Sequence, residues 1–455
     1  MAHLMISAAH KSSGKTTITL GLCAALRARG VVVAPFKKGP DYIDPLWLTL
    51  ASGRPCYNLD FWTMEPDEIR ENFTRHSAES ELALLEGNKG LYDGVDLEGS
   101  NSNAALAKLL ETPVILVIDT QGITRGIAPL VLGYRAFDPM VRIAGVILNK
   151  VGGARHEGKL REVLARYTDV PVIGSVARDE RLTIVERHLG LVPSNEMAAA
   201  LKRVDEIGAL VGAQVDLDAL QIVARTASPF PPLIPNSPLS SEPCVRIGVP
   251  RDAAFAFYYP DDLEALRSVG AELVFFDSLR DHLPEVDGLF IGGGFPEVQM
   301  ETLEANASLR SEIRAAVENG MPVYAECGGL MYLSRCIRWG GHSRAMVGAL
   351  PADVVMTEKP VGRGYIRLQE TTAHPWPVNG LTIEFSGHEF HYSHLENLGA
   401  DVNFAYQVRR GTGIDGYNDG IVYRNVLACY AHQRNTRANP WAARFVAFVK
   451  EHRNK

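Results

Sequence analysis

Cysteine is scarce in this chain. Of 455 residues six are cysteine, scattered at positions 23, 56, 244, 327, 336 and 429. They form no CxxC pair and no metal-type spacing, which excludes a disulfide framework or a cysteine-built zinc site. Reduced thiols in a cytoplasmic protein are the expectation. No apolar run approaches the ~18 residues of a membrane span, so no membrane partner is expected. The apolar start, residues 4–9, is cut short by His10 and Lys11 and reads as a first strand rather than a signal peptide. Excess positive charge is also missing. The formal net charge is −7, which argues against nucleic acid as the main partner. Internal repeats and low-complexity tracts are absent as well.

What is present is ordinary for a globular protein: 46% hydrophobic and 22% charged residues, in a length that holds two domains. Residues 1–228 alternate short apolar runs with helical stretches. The clearest strands are 4–9, 31–36, 114–118, 143–148 and 172–175, the signature of a parallel α/β sheet. Residues 229–243 break this pattern with six prolines and predict an extended linker. A second alternation fills 244–455, with strands expected at 245–250, 272–276, 288–291, 322–325, 381–385 and 426–430. The fold class is therefore α/β, with two open, mostly parallel sheets.

In the first half, Ala9-His-Lys-Ser-Ser-Gly14-Lys15-Thr16-Thr17 follows a strand and opens a helix over 17–28. Only the first glycine of the phosphate-loop pattern is replaced, by Ala9. In this context Ser12, Ser13, Gly14, Lys15, Thr16 and Thr17 would bind the phosphates of ATP. Backbone N–H groups and the helix N-terminus would hold them, Lys15 would reach the β/γ oxygens and Thr16 would ligate Mg²⁺. Acids fall at other strand ends: Asp41, Asp44, Glu86, Asp93 and Asp119. Ligands of open α/β sheets bind there, and Mg²⁺ prefers oxygen. Asp41 and Glu86 are the metal candidates beside Thr16, with a turn or capping role open for each. Asn149-Lys150 follows an apolar strand, where Asn149 would meet the nucleotide base.

In the second half, Val323-Tyr-Ala-Glu-Cys327-Gly-Gly-Leu-Met-Tyr332 turns a buried strand sharply into a helix and sets a thiol at the turn. Glycines allow the turn, and a helix N-terminus favours thiolate. A catalytic cysteine needs a base and an oxyanion hole. His432, at the end of the strand 426–430, is the expected base, with His388 and His391 as rivals. The backbones of Gly293 and Gly294, in Gly292-Gly-Gly-Phe-Pro-Glu297, and of Gly328 are the expected oxyanion donors.

These strings resemble the cobyrinic acid a,c-diamide synthase family over nearly the whole chain. The resemblance is carried by Ser13-Gly-Lys-Thr-Thr17, Lys38-Gly-Pro-Asp-Tyr-Ile-Asp-Pro45, Gly90-Leu-Tyr-Asp-Gly94, Arg187-His-Leu-Gly-Leu-Val192, Asp252-Ala-Ala-Phe-Ala-Phe-Tyr-Tyr259, Gly292-Gly-Gly-Phe-Pro-Glu297, Glu326-Cys-Gly-Gly329 and Gly387-His-Glu-Phe-His-Tyr-Ser393. It implies a dethiobiotin-synthetase-like P-loop domain joined to a flavodoxin-like class I glutamine amidotransferase domain. The implied ligands are ATP, Mg²⁺, L-glutamine and a tetrapyrrole polycarboxylate, the last held near Asp41, Tyr42 and Asp93. An acyl-phosphate mechanism is implied, and a homodimer is left open. Sirohaem or a sirohydrochlorin as the macrocycle is the runner-up. A P-loop binding ATPase with a vestigial glutaminase is the reading from another class. Two departures stand out. Family members usually carry a second histidine where this chain has Arg434, in Cys429-Tyr-Ala-His432-Gln-Arg434. The acid that orients the histidine in triad glutaminases, two places after it, is also missing, as it generally is in the family the chain resembles, and so does not argue against glutaminase activity. Arg434 is read as meeting an acetate or propionate, or as solvating a surface.

Overall fold

The computed structural model describes residues 1–184, 186–187, 190–191, 199–230, 243–376, 383–400 and 402–453. The expected linker 229–243 and the Arg187–Val192 string therefore lie largely outside the described residues. The chain divides into two compact units, residues 1–234 and 235–455. No helix of the described residues is long and apolar enough to cross a membrane.

The first unit runs β1 (Ala2–Ala8), α1 (Lys15–Ala28), β2 (Val33–Lys38), α2 (Ile43–Ser52), β3 (Tyr57–Leu59), α3 (Pro66–Ser77), β4 (Leu82–Glu86), α4 (Asn103–Leu109), β5 (Val114–Asp119), α5 (Ile127–Phe137), β6 (Ile143–Val151), α6 (Ala154–Tyr167) and β7 (Val172–Ala177). Two short strands, β8 (Glu186–Arg187) and β9 (Gly190–Leu191), precede α7 (Ala200–Gly212) and α8 (Leu217–Arg225). The sheet order is β3-β2-β4-β1-β5-β6-β7, with every pairing parallel. Strands buried on both faces read as continuous apolar runs, as in Val114–Asp119. Sequence reasoning treated 82–86 only as an apolar segment and missed β3, whose three residues are too few to show a period. One hydrophobic cluster packs on each face of the sheet. Each fully buried Leu, Ile or Val there contributes roughly 1.5–3 kcal/mol. The P-loop helix is clamped from behind by small residues. A Cβ on Gly208 would press on Ala24, and one on Gly212 on Ala25, so α7 and α1 meet almost backbone to backbone.

The second unit runs β10 (Val245–Pro250), β11 (Phe255–Phe257), α9 (Pro260–Ser268), β12 (Ala271–Phe276), β13 (Gly288–Ile291), β14 (Gly293–Gly294), α10 (Met300–Ala305), α11 (Ala307–Glu318), β15 (Val323–Glu326), α12 (Gly328–Leu333), β16 (Cys336–Trp339), β17 (His342–Ala345), β18 (Asp353–Met356), β19 (Gly362–Glu370), β20 (Glu384–His391), β21 (Ser393–Glu396), β22 (Asn403–Arg410), β23 (Asn418–Tyr423), β24 (Val426–Cys429) and α13 (Trp441–His452). Its main sheet is ordered β12-β10-β13-β15-β24-β23-β22-β19-β20. From β12 to β24 the pairings are parallel. From β24 to β20 they are antiparallel. The antiparallel arm escaped sequence reasoning because its strands are half-buried and carry many polar residues, as in Gly362–Glu370. The strand expected at 381–385 begins instead at Glu384, residues 381 and 382 lying outside the described set.

Candidate active site

Each unit gathers its chemistry at the carboxyl ends of its parallel strands, where loops leave the sheet. In the first unit the turn after β1 is a phosphate loop. Ser12 and Gly14 adopt positive φ of 64° and 89°, which glycine takes without strain at the second position. The loop is held from β6. Asn149 Nδ2 donates to the Ser13 carbonyl at 2.8 Å, and Lys150 Nζ to the Ser12 carbonyl at 3.3 Å. A Cβ on Gly14 would collide with Asn149. Asn149 thus has its amide nitrogen committed to loop backbone, a shaping role that the expected contact with a base did not include.

A cavity of about 820 Å³ opens over the loop, lined by Ser12, Gly14, Lys15, Thr16, Thr17 and Asn149 among others. Asp41, Asp44, Glu86 and Lys37 close one side. Thr16 Oγ1 donates to Glu86 at 2.7 Å and to Asp44 at 3.2 Å. Lys37 Nζ lies 2.7 Å from Glu86, 2.5 Å from Asp44 and 3.8 Å from Asp41. Burial opposes charge on this lysine, but the surrounding carboxylates outweigh it and hold it firmly protonated. Burial raises the pKa of Glu86, and Lys37 opposes the rise. Lys15 is the converse: burial, with the positive charge of Lys37 beside it, lowers its pKa to about 8. Asp44 was among the strand-end acids read from the sequence, whereas Lys37 was not singled out and its place in this cluster was missed.

The candidate acids differ in how they are used. Glu86 is fully buried and joins Thr16 and Lys37. Asp41 spends Oδ1 on the backbone N–H groups of Ile43 and Asp44, a turn role, while it also lines the cavity. Asp93 accepts from the Gly90 N–H at 2.9 Å and does not line the cavity, although its charge reaches Lys15. Tyr42 is buried at the start of α2 and does not line it either. Asp119 pairs with Lys150 at 2.7 Å. Among the described residues no three His, Cys, Asp or Glu side chains form a ready-made cation cage.

In the second unit Cys327 sits between β15 and α12 with φ 47° and ψ −100°, a strained backbone for a residue with a side chain. The strain is held by close packing. A Cβ on Gly329 would strike the Ile291 carbonyl, and one on Gly328 would lie 3.0 Å from the Gly294 nitrogen. Gly294 in turn has no room for a Cβ against the Ala254 carbonyl. The expected oxyanion glycines Gly293, Gly294 and Gly328 therefore surround the elbow, whereas the Gly292 N–H is occupied by the Tyr258 hydroxyl at 3.0 Å.

His432 lies against Cys327 and Glu326, and its Nδ1 is 3.4 Å from Glu326 Oε2. Burial alone would favour the neutral ring. The interactions with Cys327 and Glu326 outweigh it and raise the pKa well above the ordinary value. The rivals are placed differently. His391 stacks on Tyr430 with ring centroids 3.9 Å apart and bonds the Ser393 carbonyl. His388 on β20 exchanges backbone hydrogen bonds with His432, and burial lowers its pKa to about 3. Glu326, quoted in the sequence as part of the cysteine string, had been assigned no role.

Arg434 contradicts both sequence readings. It neither solvates a surface nor waits for a substrate carboxylate: it is 2% exposed, pairs with Asp261 at 2.5 Å and lies over the Tyr259 ring at 5.0 Å.

Comparison with known proteins agrees with this geometry. Residues 4–192 match the CobQ/CobB/MinD/ParA nucleotide binding domain, and residues 246–439 the CobB/CobQ-like glutamine amidotransferase domain. A cobyrinate a,c-diamide synthase of Magnetococcus marinus is 49% identical, over 98% of this chain and 97% of that protein. The chain belongs to the cobyrinate a,c-diamide synthase family. Relatives of the same name come from Methanosarcina barkeri, 41% identical over 99% of this chain and 96% of theirs, and Archaeoglobus fulgidus, 42% over 97% and 96%. Within this family framework the P-loop cavity falls in the nucleotide binding domain and the Cys327–His432 pair in the amidotransferase domain.

Proposed function

We propose that the chain is a cobyrinate a,c-diamide synthase, converting the a and c acetate side chains of a corrin-type tetrapyrrole to amides with ATP and glutamine. We assign 1–228 to the synthetase domain, 229–243 to the linker and 244–455 to the glutaminase. The observation that carries the reading is the presence in one chain of a lysine-lined P-loop cavity and a strained thiol bonded to an imidazole. One activates a carboxylate, and the other releases ammonia.

In the glutaminase, the Cys327 proton passes to His432 and the sulfur bonds to the amide carbon of glutamine. Ammonia leaves with that proton, and water hydrolyses the thioester to glutamate. Backbone N–H groups of Gly294 and Gly328 would face the oxyanion. In the synthetase, an acceptor carboxylate oxygen attacks the γ-phosphorus and ADP leaves. Ammonia then attacks the acyl carbon, and phosphate leaves. Lys15 offsets charge on the transferred phosphoryl group, and the loop backbone orients it.

Thr16 and Glu86, with Asp44 and Asp41 beside them, are the residues that would hold Mg²⁺. All present oxygen, as this hard cation prefers, and Glu86 Oε2 is buried with no hydrogen-bond partner. When bound, the ion would supply charge compensation at the phosphates. Asp41, at the cavity wall, is the best placed of the three proposed substrate contacts; Tyr42 and Asp93 would act from behind it.

The test is mass spectrometry of products after incubation with ATP, Mg²⁺ and glutamine, with cobyrinic acid and sirohaem as parallel acceptors. Two successive exchanges of OH for NH₂ on cobyrinic acid are expected. No mass change with that acceptor would overturn the reading, and amidation of sirohaem alone would transfer it to the other macrocycle.

A further inference from the structure

Triad glutaminases place the orienting acid two residues after the histidine. In this chain that position is Arg434, committed to Asp261. The imidazole nevertheless faces a carboxylate, that of Glu326, the residue immediately before the nucleophile.

Glu326 is 2% exposed. One of its oxygens is fully used, Oε1 accepting from the Tyr324 hydroxyl at 2.5 Å and from the Gln433 N–H at 2.9 Å. These two bonds fix the carboxylate plane and leave Oε2 directed at His432 Nδ1, 3.4 Å away. A buried carboxylate needs a charge partner. Among the described residues, His432 is the only cationic side chain within ion-pair distance of Glu326. Catalytic hydrogen bonds are often long before substrate binds, so 3.4 Å fits the resting state.

We propose that Glu326 is the orienting acid of this glutaminase, a positioning residue that holds the His432 ring by its Nδ1–H, so that Nε2 faces Cys327, exchanges the proton with its sulfur, and the imidazolium formed beside the thiolate is stabilised. Nucleophile and acid are then consecutive in the chain. The strand end that aims the thiol into the site also aims the carboxylate at the base behind it. Gln433, next to His432, locks the carboxylate through its backbone, so the two partners are joined by two neighbouring contacts rather than one.

The inference rests on Cys327 and His432 being nucleophile and base. The Cys327→Ser variant tests that separately, since retained glutamine hydrolysis there would remove the underlying assignment. The decisive variant is Glu326→Gln. It keeps the size and the acceptor for Tyr324 and Gln433, but it presents an N–H to His432 Nδ1 and so enforces the wrong tautomer. Glutamine-supported kcat is expected to fall by about 10³- to 10⁴-fold, the scale seen when a triad acid becomes an amide. KM for glutamine should stay within about threefold. Amidation with free ammonia should persist, and Glu326→Asp should recover part of the loss. The second readout is the pH dependence of Cys327 alkylation by iodoacetamide. The titratable groups around His432 and Glu326 are Cys327, Tyr324, Tyr258, Asp262, His388 and the fully buried Cys429, and none is altered by the variant. Alkylation should shift upward by about one pH unit or more, because thiolate formation loses its imidazolium partner. Unchanged glutamine turnover with an unchanged alkylation profile would overturn the proposal. So would equal loss with glutamine and with ammonia, which would make Glu326 a support of the fold.

Discussion

The two sites handle charge in opposite ways. The P-loop cavity is open, and its charged groups sit in a mutual network of Lys15, Lys37, Asp44 and Glu86 around about 820 Å³ of space. The glutaminase elbow is closed: Cys327, His432 and Glu326 are each nearly inaccessible and touch one another. A site built to hold a polyanion neutralises its acids with Lys37 and keeps Lys15 under-committed, so that the ligand completes the balance. A site built to make a nucleophile completes the balance in advance and spends strain on aiming it. Substitutions should therefore act globally on amidation in the first and selectively on the nitrogen source in the second.

The sharpest break of that contrast is Lys15→Ala. Amidation should fall by about 10³-fold or more with glutamine and with ammonia alike, because the phosphoryl group loses its nearest cation in either case. A loss confined to glutamine would erase the division of labour. Next comes Cys327→Ser, for which glutamine-dependent amidation should vanish while ammonia-dependent amidation stays within about twofold. Steady-state rates with the two nitrogen donors measure both. A third effect belongs to stability. Arg434→Met leaves Asp261 and the buried Asp262 without their cation and should cost the second unit about 3–5 kcal/mol, read from denaturant unfolding. Wild-type stability in that variant would show that the buried Arg434–Asp261 pair contributes no net stability.

The smallest effect concerns protons. Lys15 is depressed to about 8 from an ordinary 10.5 by burial and by Lys37. Bound phosphates would raise it again, so the complex holds more protons than the free enzyme above that value. ATP affinity should be greatest below pH 8 and fall as pH rises through it, with proton uptake on binding. Calorimetry just above pH 8 in two buffers of different ionisation enthalpy checks the sign, and proton release would contradict it.

How legible each site was follows from how local its parts are. Lys15 and Thr16 lie beside the glycine that shapes their loop, and Cys327 lies beside Gly328 and Gly329, so composition and order reveal them. Glu86 reaches Thr16 across 70 residues and Lys37 across 49, contacts that only the sheet order creates. Asn149 shows the same limit, since its partner is a backbone carbonyl 136 residues away. Arg434 misled because a charged residue near a catalytic histidine suggests substrate, whereas its partner Asp261 lies 173 residues earlier. Glu326 was hidden for another reason. Triad glutaminases carry the acid after the histidine, where this chain has none, while the fold supplies a carboxylate from the strand that carries the thiol. In the second sheet, half-polar antiparallel strands such as Asn403–Arg410 lack the apolar signal by which the parallel ones were found.

Lys37 has one more consequence. Its ammonium, buried between Glu86 and Asp44, serves as a resident counter-ion. Carboxylates packed that deeply would repel each other in a protein that waited for a divalent ion to fold. Here the lysine fills that need from within the chain. The nucleotide unit should consequently keep its melting temperature when a chelator strips magnesium, even as turnover stops. Lys37→Met should make that melting temperature depend on the metal.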